Sequence, residues 1–133
     1  MPTSLELLEL AAAASQRAYA PYSNYQVGAC ILTESGEIFS GANIENISYG
    51  ATICAERTAI AVMRAAGNHR IRTIAVHTPD QGWPCGICLQ TIAEFVIDAD
   101  STKIVVPSLN GFIERSLREL APHLWSSDLV KKK

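Results

Sequence analysis

The sequence predicts an α/β protein built as a three-layer α/β/α sandwich, in which helices cover both faces of one sheet. Strand-like and helix-like segments alternate along the middle of the chain, which is the pattern of helices packed on a sheet. Hydrophobic residues make up 48% of the sequence and charged residues 18%, as is typical of a folded chain. The length of 133 residues fits a single domain, which we expect to span residues 1–133.

The first helix is predicted by a capping box, in which Thr3 and Glu6 satisfy backbone N–H groups at the helix start. Leucine and alanine side chains then form an apolar face as far as about Tyr19. Pro21 follows, and proline cannot continue a helix. We therefore expect the first helix to end near Tyr19.

Five segments have the short, apolar, β-favouring composition of strands and are bounded by turn-forming residues. They are residues 27–33, 37–41, 72–78, 103–106 and 112–115. Ser35-Gly36 and Asn110-Gly111 are the expected turns between the first two and the last two strands. Because two residues can join only antiparallel strands, the last strand should run antiparallel to its neighbour.

Two longer helices should begin at cysteine motifs. One runs from near Cys54 to a C-cap at Gly67, and the other covers residues 85–97. Ser116 and Glu119 form a second capping box and predict a short helix near the C-terminus. Helix N-termini have a partial positive charge, which favours the thiolate form of a cysteine placed there.

Three cysteines give the strongest chemical signal: Cys54, followed by Ala55 and Glu56, and the pair Cys85 and Cys88 in a Cys-x-x-Cys motif. Three thiolates can hold Zn²⁺ and leave its fourth tetrahedral position open, as in catalytic zinc sites. The carboxylate of Glu56 could then move protons to and from an activated water. This pattern matches the signature of zinc nucleobase deaminases.

Other interpretations of these cysteines explain less. A thioredoxin-like redox pair would lie nearer the N-terminus of its fold and would leave Cys54 and Glu56 without a role. A structural zinc site needs a fourth ligand, but Cys30 lies in a strand, where a core role is expected, and the histidines have no ligand-like spacing. Arg57 could donate to the cysteine sulfurs and offset their charge, with a surface charge as the alternative interpretation.

Composition argues against several classes of partner. A net charge of -2 at pH 7 is unlike a nucleic-acid-binding protein, which usually has a basic face. The basic residues 131–133 are expected to form a solvated terminus. The start of the chain lacks the basic and apolar regions of a signal peptide, and no stretch is apolar for long enough to span a bilayer. We therefore expect a cytoplasmic protein that binds neither nucleic acid nor membrane.

Motifs along nearly the whole chain have the order found in one enzyme family. They are Tyr22-Ser23-Asn24-Tyr25, Val27-Gly28-Ala29, Gly41-Ala42-Asn43-Ile44-Glu45-Asn46, Ser48-Tyr49-Gly50, Cys54-Ala55-Glu56-Arg57, Pro84-Cys85-Gly86-Ile87-Cys88 and Leu120-Ala121-Pro122 leading to Trp125. With these motifs the chain resembles the small cytidine deaminases, the homotetrameric type with three cysteines. The resemblance implies a five-stranded mixed sheet of order 2-1-3-4-5 with the last strand antiparallel, Zn²⁺ as cofactor, and a homotetramer with shared active sites.

The resemblance also implies roles in nucleoside binding. Asn43 and Glu45 would hydrogen-bond the ribose hydroxyls. Tyr25 stands where the family often has phenylalanine, and would line the base pocket. The backbone of Ala55 and the side chain of Glu56 would hold the pyrimidine ring.

Three residues would act across a subunit boundary. Trp125 matches, across a small alignment shift, a C-terminal phenylalanine that stacks on the base bound by a neighbouring subunit; the alternative is an anchor of the last helix. Ser48 and Tyr49 would likewise reach a neighbouring site. Leu89, directly before Gln90, stands where the family commonly has arginine, so a charge near the metal or the subunit interface is missing.

The implied reaction is the hydrolytic deamination of cytidine and 2'-deoxycytidine to uridine and 2'-deoxyuridine, with release of ammonia, a step of pyrimidine salvage. An alternative is a deaminase of another small aminopyrimidine such as blasticidin S, against which Asn43 and Glu45 argue. A nucleic-acid-editing deaminase is disfavoured, because its last two strands are parallel and need a long crossover. A non-catalytic zinc-binding subunit is the alternative from a different class, and the presence of Glu56 counts against it.

Overall fold

The computed structural model describes residues 1–125, which contain all the predicted helices and strands. In chain order they are α1 (Ser4–Ser15), β1 (Gly28–Thr33), β2 (Ile38–Ala42), a 3-10 helix (Tyr49–Ala51), α2 (Ala55–Ala66), β3 (Ile71–His77), α3 (Gly86–Glu94), β4 (Lys103–Ser108), β5 (Gly111–Ser116) and α4 (Leu117–Leu120). Both predicted capping boxes are present, at the starts of α1 and α4. Within residues 1–125, no helix has the length and apolar character needed to cross a membrane.

The strands form one mixed sheet of order β2-β1-β3-β4-β5. β1 runs antiparallel to both β2 and β3, β3 runs parallel to β4, and β4 runs antiparallel to β5. The predicted order and the antiparallel last strand are therefore confirmed. The parallel pair β3 and β4 is connected through α3, as parallel strands require a crossover, so the Cys-x-x-Cys motif follows the C-terminal end of β3.

Two buried clusters show that the helices cover both faces of the sheet. Alternate residues of β1 point to opposite faces, because side chains alternate along a strand. Cys30 and Leu32 pack in a cluster with α1 residues that include Leu7 and Ala11. The other face holds the larger cluster, whose members from β1, α2, α3 and β4 include Ala29, Ile31, Ala59, Ile60, Met63, Ile92 and Ile104. The three-layer architecture is therefore confirmed.

Two glycines let helices lie against the sheet. A Cβ atom at Gly28 would lie 1.9 Å from the carbonyl oxygen of Ala11 in α1. A Cβ atom at Gly41 would lie 2.6 Å from the backbone nitrogen of Ala59 in α2. Both distances are too short for real atoms, so a larger residue would push the helix off the sheet. Since α2 begins beside Cys54, the packing at Gly41 also positions the cysteine motif.

The first helix ends earlier than predicted, at Ser15 and not near Tyr19. The backbone of Tyr19 pairs instead with the segment after β2: its N–H donates to the carbonyl of Asn43 at 3.0 Å, and its carbonyl accepts from the N–H of Glu45 at 2.8 Å. α3 likewise ends at Glu94, before the predicted residue 97, because the next residue accepts a backbone hydrogen bond from the start of β3. Pairing with other segments has replaced the last helical turns.

The last hairpin forms, but its turn lies one residue earlier than predicted. Ser108 pairs with Gly111, so Leu109 and Asn110 connect β4 to β5. Gly111 has φ of 127°, a conformation that glycine adopts readily because it lacks a Cβ atom. A connection this short leaves no room for a crossover.

Candidate active site

Three cysteine sulfurs converge where α2 and α3 begin. Cys54 is the N-cap residue of α2 and Cys85 is the N-cap residue of α3, and neither side chain makes a capping hydrogen bond. Cys88 lies three residues after Cys85, a spacing that places both on one face of the first turn. All three cysteines are free, and their Sγ atoms lie within 4.8 Å of one another. The structure therefore brings together the three residues predicted to bind a metal.

This set of donors fits Zn²⁺. Thiolates at the corners of a tetrahedral zinc site, with Zn–S bonds of about 2.3 Å, lie about 3.8 Å apart, within the observed limit. A hydrogen bond with Cys88, together with Arg57, lowers the pKa of Cys54 to about 5. The same hydrogen bond and burial raise the pKa of Cys88. Across residues 1–125, these cysteines are the single group of three side chains found to be arranged for metal binding.

Arg57 places a positive charge against this cluster. Its Nη2 atom donates to the carbonyl oxygen of Thr52 at 3.4 Å and lies 3.8 Å from the Sγ atom of Cys54. The contact with Cys54 raises the pKa of Arg57. Its Nε atom is buried and has no acceptor within the described part of the chain. The guanidinium is thus held beside the Sγ atom of Cys54.

Glu56 places a buried carboxylate in the first turn of α2. Glu56 is only 5% exposed, and burial raises the pKa of its carboxyl group. Ala55, between Glu56 and Cys54, is fully buried. Backbone N–H groups in a first helical turn have no acceptor within the helix. One sulfur of the cluster, a carboxylate and backbone donors of a first helical turn therefore lie within three consecutive residues.

Asn43 is buried, and its amide group is bound to the segment that precedes β1. Its Oδ1 atom accepts from the N–H of Val27 at 2.9 Å, and its Nδ2 atom donates to the carbonyl of Tyr25 at 2.8 Å. The Asn43 amide therefore binds the backbone of residues 25–27 with one acceptor and one donor, as a neighbouring strand would. One further N–H and one further lone pair of the amide can still bind another group.

Glu45 holds the same segment further upstream. Its Oε1 atom accepts from the N–H groups of Tyr22 at 2.9 Å and Ser23 at 3.2 Å, and its Oε2 atom accepts from the hydroxyl of Ser23. These bonds, led by that from the Ser23 hydroxyl, lower the pKa of Glu45. A cavity of about 340 Å³ lies beside the carboxylate. Its lining consists of Tyr22, Ser23, Glu45, Asn46, Tyr49 and Thr52.

Ser48, Tyr49 and Trp125 lie on the surface. The N–H of Ser48 donates to the side chain of Asn46 at 2.9 Å, just before the 3-10 helix. Tyr49 is 76% exposed, and Trp125 is 69% exposed. The carbonyl of Trp125 accepts from the Nε2 atom of Gln90 at 2.7 Å, which ties the C-terminal segment to α3. Two large aromatic side chains are thus presented to solvent.

The hydrogen bonds of Tyr25 involve two residues, Asp80 and Ser23, to which the sequence analysis gave no role. Its phenol donates to the Oδ1 atom of Asp80 at 2.5 Å, and its N–H donates to the Oγ atom of Ser23 at 3.0 Å. Burial and the bond to Asp80 raise the pKa of Tyr25. Ser23 could have been found, since it lies in the matched Tyr22-Ser23-Asn24-Tyr25 motif. Asp80 gave no such signal, because it lies 55 residues from Tyr25 in a loop outside the motifs.

Cys30, which was not expected to bind metal, and Leu89, which stands where the family commonly has arginine, both pack in the interior. Cys30 is fully buried, and burial raises its pKa to about 11, so the predicted core role is confirmed. Leu89 packs against the larger core cluster, as do Leu120 and Leu124 of the C-terminal segment. At position 89 the chain therefore has an apolar packing contact in place of a charge.

The fold and the site together define an α/β protein of the zinc-dependent deaminase class, with three thiols at two helix starts and a buried glutamate beside them. Residues 1–103 match the model of the family described as the cytidine and deoxycytidylate deaminase zinc-binding region. The chain therefore belongs to the cytidine and deoxycytidylate deaminase family.

Proteins that this chain resembles over most of their length have names that agree with this assignment. The chain is 42% identical over 125 residues to the cytidine deaminase of Halalkalibacterium halodurans, covering 92% of this chain and 93% of that one. It is 37% identical over 129 residues to a probable cytidine deaminase of Dictyostelium discoideum, covering 94% and 86%. The crystal structure of the cytidine deaminase from Burkholderia pseudomallei superposes with a TM-score of 0.85 at 38% identity, covering 93% of this chain and all of that one.

Proposed function

We propose that the protein catalyses the hydrolytic deamination of cytidine and 2'-deoxycytidine to uridine and 2'-deoxyuridine, with release of ammonia. The observation that supports this most strongly is the buried carboxylate of Glu56 beside three clustered cysteine thiols. Relatives that share this chain's family and nearly its whole length are named cytidine deaminases. The reaction acts on the C–N bond of a cyclic amidine and would serve pyrimidine salvage in the cytoplasm.

Cys54, Cys85 and Cys88 would hold one Zn²⁺ ion. When bound, Zn²⁺ supplies Lewis-acid activation of a water molecule at neutral pH. The guanidinium of Arg57, 3.8 Å from the Cys54 sulfur, would offset the negative charge of the three thiolates. The site should therefore keep its metal without a fourth protein ligand.

Glu56 would move the protons. Its carboxylate takes a proton from the attacking water and gives it to N3 of the pyrimidine, while the water oxygen adds to C4. It then carries the second water proton to the amino group, which leaves as ammonia while the C4 carbonyl of uridine forms. Burial of Glu56 excludes bulk water from this transfer.

The nucleoside would be held by two regions, the segment before β1 with the side chains bound to it and the first turn of α2. Asn43 and Glu45 each keep hydrogen-bonding capacity for ribose hydroxyls beyond the bonds that fix them. The ring of Tyr25 would form a wall of the base pocket. The backbone N–H at Ala55, in the first turn of α2, would donate to the pyrimidine carbonyl, and the side chain of Glu56 would hold the ring nitrogen.

We infer a homotetramer of single-domain chains, each domain spanning residues 1–133, with active sites shared between subunits. Tyr49 and Trp125 are large, aromatic and exposed, so both side chains are available to contact a partner subunit. Ser48 and Tyr49 would reach a neighbouring site, and Trp125 would stack on the base bound there. We expect neither nucleic acid nor membrane as a partner.

The test is the loss of cytidine absorbance together with ammonia release by the zinc-loaded protein. The wild type should turn over cytidine, and Glu56→Ala should retain zinc while kcat falls by about 10²–10⁴-fold or more, because the proton carrier is missing. Glu94→Ala is a matched control, since Glu94 is an exposed glutamate of α3. It should behave as the wild type does.

Either of two results would contradict the proposal. Unchanged turnover by Glu56→Ala would show that another group moves the protons. A zinc-loaded wild type that leaves cytidine and deoxycytidine unchanged would exclude both substrates, and a panel of other aminopyrimidines would then be tested.

A further inference from the structure

The loop between β3 and Cys85 contains a carboxylate that the proposed reaction does not use. Asp80 is exposed, and its Oδ1 atom accepts the phenol hydrogen of Tyr25 at 2.5 Å. A hydrogen bond to an ionised carboxylate is stronger than one between neutral groups. The bond joins two segments that are 55 residues apart in sequence. The bond therefore holds the segment before β1 against the loop after β3, a contact that no local turn could provide.

Asp80 is itself held in a defined turn. The N–H of Gly82 donates both to the Oδ1 atom of Asp80 at 3.2 Å and to the Oγ1 atom of Thr78 at 2.8 Å. Gln81, between Asp80 and Gly82, has φ of 63°, a left-handed conformation that side chains other than glycine adopt at some cost. The carboxylate thus projects from an organised turn shortly before Cys85.

Tyr25 is tied at its backbone as well as at its phenol. Its N–H donates to the Oγ atom of Ser23 at 3.0 Å, and its carbonyl accepts from the Nδ2 atom of Asn43 at 2.8 Å. The hydroxyl of Ser23 in turn donates to Glu45. With both ends fixed, the aromatic ring has little freedom to rotate about its side-chain bonds.

These bonds form a continuous chain across the site. It runs from Glu45 through Ser23 and Tyr25 to Asp80, and the turn at Asp80 leads within a few residues to Cys85. The ribose side of the proposed pocket and the loop that positions a metal ligand are therefore connected through one tyrosine ring. Asp80 is the link at which the chain reaches the metal side.

We propose that Asp80 is a positioning residue that, through the phenol of Tyr25, fixes the aromatic wall of the nucleoside pocket relative to the loop ending at Cys85. This inference rests on the proposed function. A pocket wall contacts the base in the ground state and in the transition state alike, so its loss should raise KM and leave kcat nearly unchanged. Asp80 does not touch the reacting atoms in this role.

The test is a double-mutant cycle on zinc-loaded protein with cytidine as substrate. Tyr25→Phe and Asp80→Ala should each raise KM by about 3- to 10-fold with kcat within about 2-fold, as expected for one partly exposed hydrogen bond. The double variant should be no worse than either single variant, because both remove the same bond. Asp80→Asn keeps a carbonyl oxygen as acceptor and should recover most of the loss.

Three further measurements separate positioning from general damage to the fold. Glu9→Ala removes an exposed carboxylate of α1 and should leave KM unchanged. Zinc content per chain and the melting temperature should match between Asp80→Ala and Glu9→Ala. Binding of the product uridine, measured by calorimetry, should weaken in the ratio by which KM rises, since it depends on the pocket without depending on turnover.

The outcomes distinguish this proposal from the proposed function. If the wild type does not convert cytidine, the proposed function is wrong. If the wild type converts cytidine but Asp80→Ala leaves KM and uridine binding unchanged, the positioning role alone is wrong. The role is also wrong if the two single effects multiply in the double variant, because Tyr25 and Asp80 would then act independently.

Discussion

The candidate site has a metal side and a rim, and a single chain positions the residues of the metal side much more firmly than those of the rim. The metal side, formed by Cys54, Cys85, Cys88 and Glu56, reaches into the core: Glu56 is 5% exposed and Cys88 is fully buried, while Cys54 is half-buried and Cys85 is exposed. The residues proposed to act across a subunit boundary, Ser48, Tyr49 and Trp125, are here called the rim, and they are exposed: Tyr49 is 76% exposed and Trp125 is 69% exposed.

The difference has a physical reason. A core side chain is positioned by its own chain, because close packing leaves it few alternatives. An exposed aromatic ring keeps its rotational freedom until another surface covers it. We therefore expect the chemical step to depend on the metal side of one chain, and substrate affinity to depend also on the rim of another.

The largest expected effect is at the metal side. Cys88→Ala removes one of three ligands, so zinc content should fall from about one per chain to near zero, with loss of deaminase activity. Metal analysis after dialysis measures this directly. The matched control is Cys30→Ala, since Cys30 is equally buried but lies in the core cluster packed against α1. It should keep zinc; equal loss in both variants would mean that general unfolding, and not ligation, explains the result.

The next effect tests whether the rim acts across subunits. Trp125→Ala should lower kcat/KM by about 5- to 150-fold, because stacking of a base on an aromatic ring is worth about 1–3 kcal/mol. Co-refolding Trp125→Ala with Glu56→Ala should give more activity than the sum of the two, since some sites then combine an intact Glu56 with an intact Trp125. The control mixture is Glu56→Ala with a variant carrying both changes, which should show no gain. No gain in the first mixture would place Trp125 and Glu56 in the same chain's site.

A smaller effect concerns how the sheet supports the metal side. Gly41→Ala should lower the free energy of unfolding by about 1–3 kcal/mol, because the new Cβ atom would lie 2.6 Å from the backbone of α2. Gly50→Ala, in the segment next to the rim, meets no atom within 4 Å and should change it by no more than about 0.5 kcal/mol. Urea unfolding measures both. Zinc affinity should fall with Gly41→Ala alone, and an equal response of the two variants would contradict the expectation.

The sequence was most informative where chemistry and local structure coincide. The spacing of Cys54, Cys85 and Cys88 predicted three sulfurs in one place, because each motif begins a helix and both helices lie on one face of the sheet. The capping boxes at Thr3 and Ser116 were found for the same reason, since all their bonds lie within four consecutive residues.

The sequence was least informative where distant segments compete for the same backbone groups. Tyr19 has helix-forming neighbours, yet it pairs with Asn43 and Glu45, and no local pattern indicates that outcome. The bond between Tyr25 and Asp80 depends on how β1 and β3 lie side by side, which sequence periodicity does not specify. The turn before β5 shifted by one residue because Gly111 is used within the strand pair and not in the turn.

The smallest expected effect concerns α4, the short helix that precedes the rim residue Trp125. The Oγ atom of Ser116 accepts from the N–H of Glu119 at 3.1 Å, and Glu119 Oε1 accepts from the N–H of Ser116 at 2.9 Å. Ser116→Ala removes the first of these bonds and should cost about 1 kcal/mol of stability. Because α4 precedes Trp125, the change should also raise KM modestly while zinc content stays the same. Ser101→Ala is the control, since its exposed hydroxyl donates only to the carbonyl of Asp98 at 3.2 Å in a turn. Loss of zinc with Ser116→Ala would show that the rim and the metal side are not separable in this way.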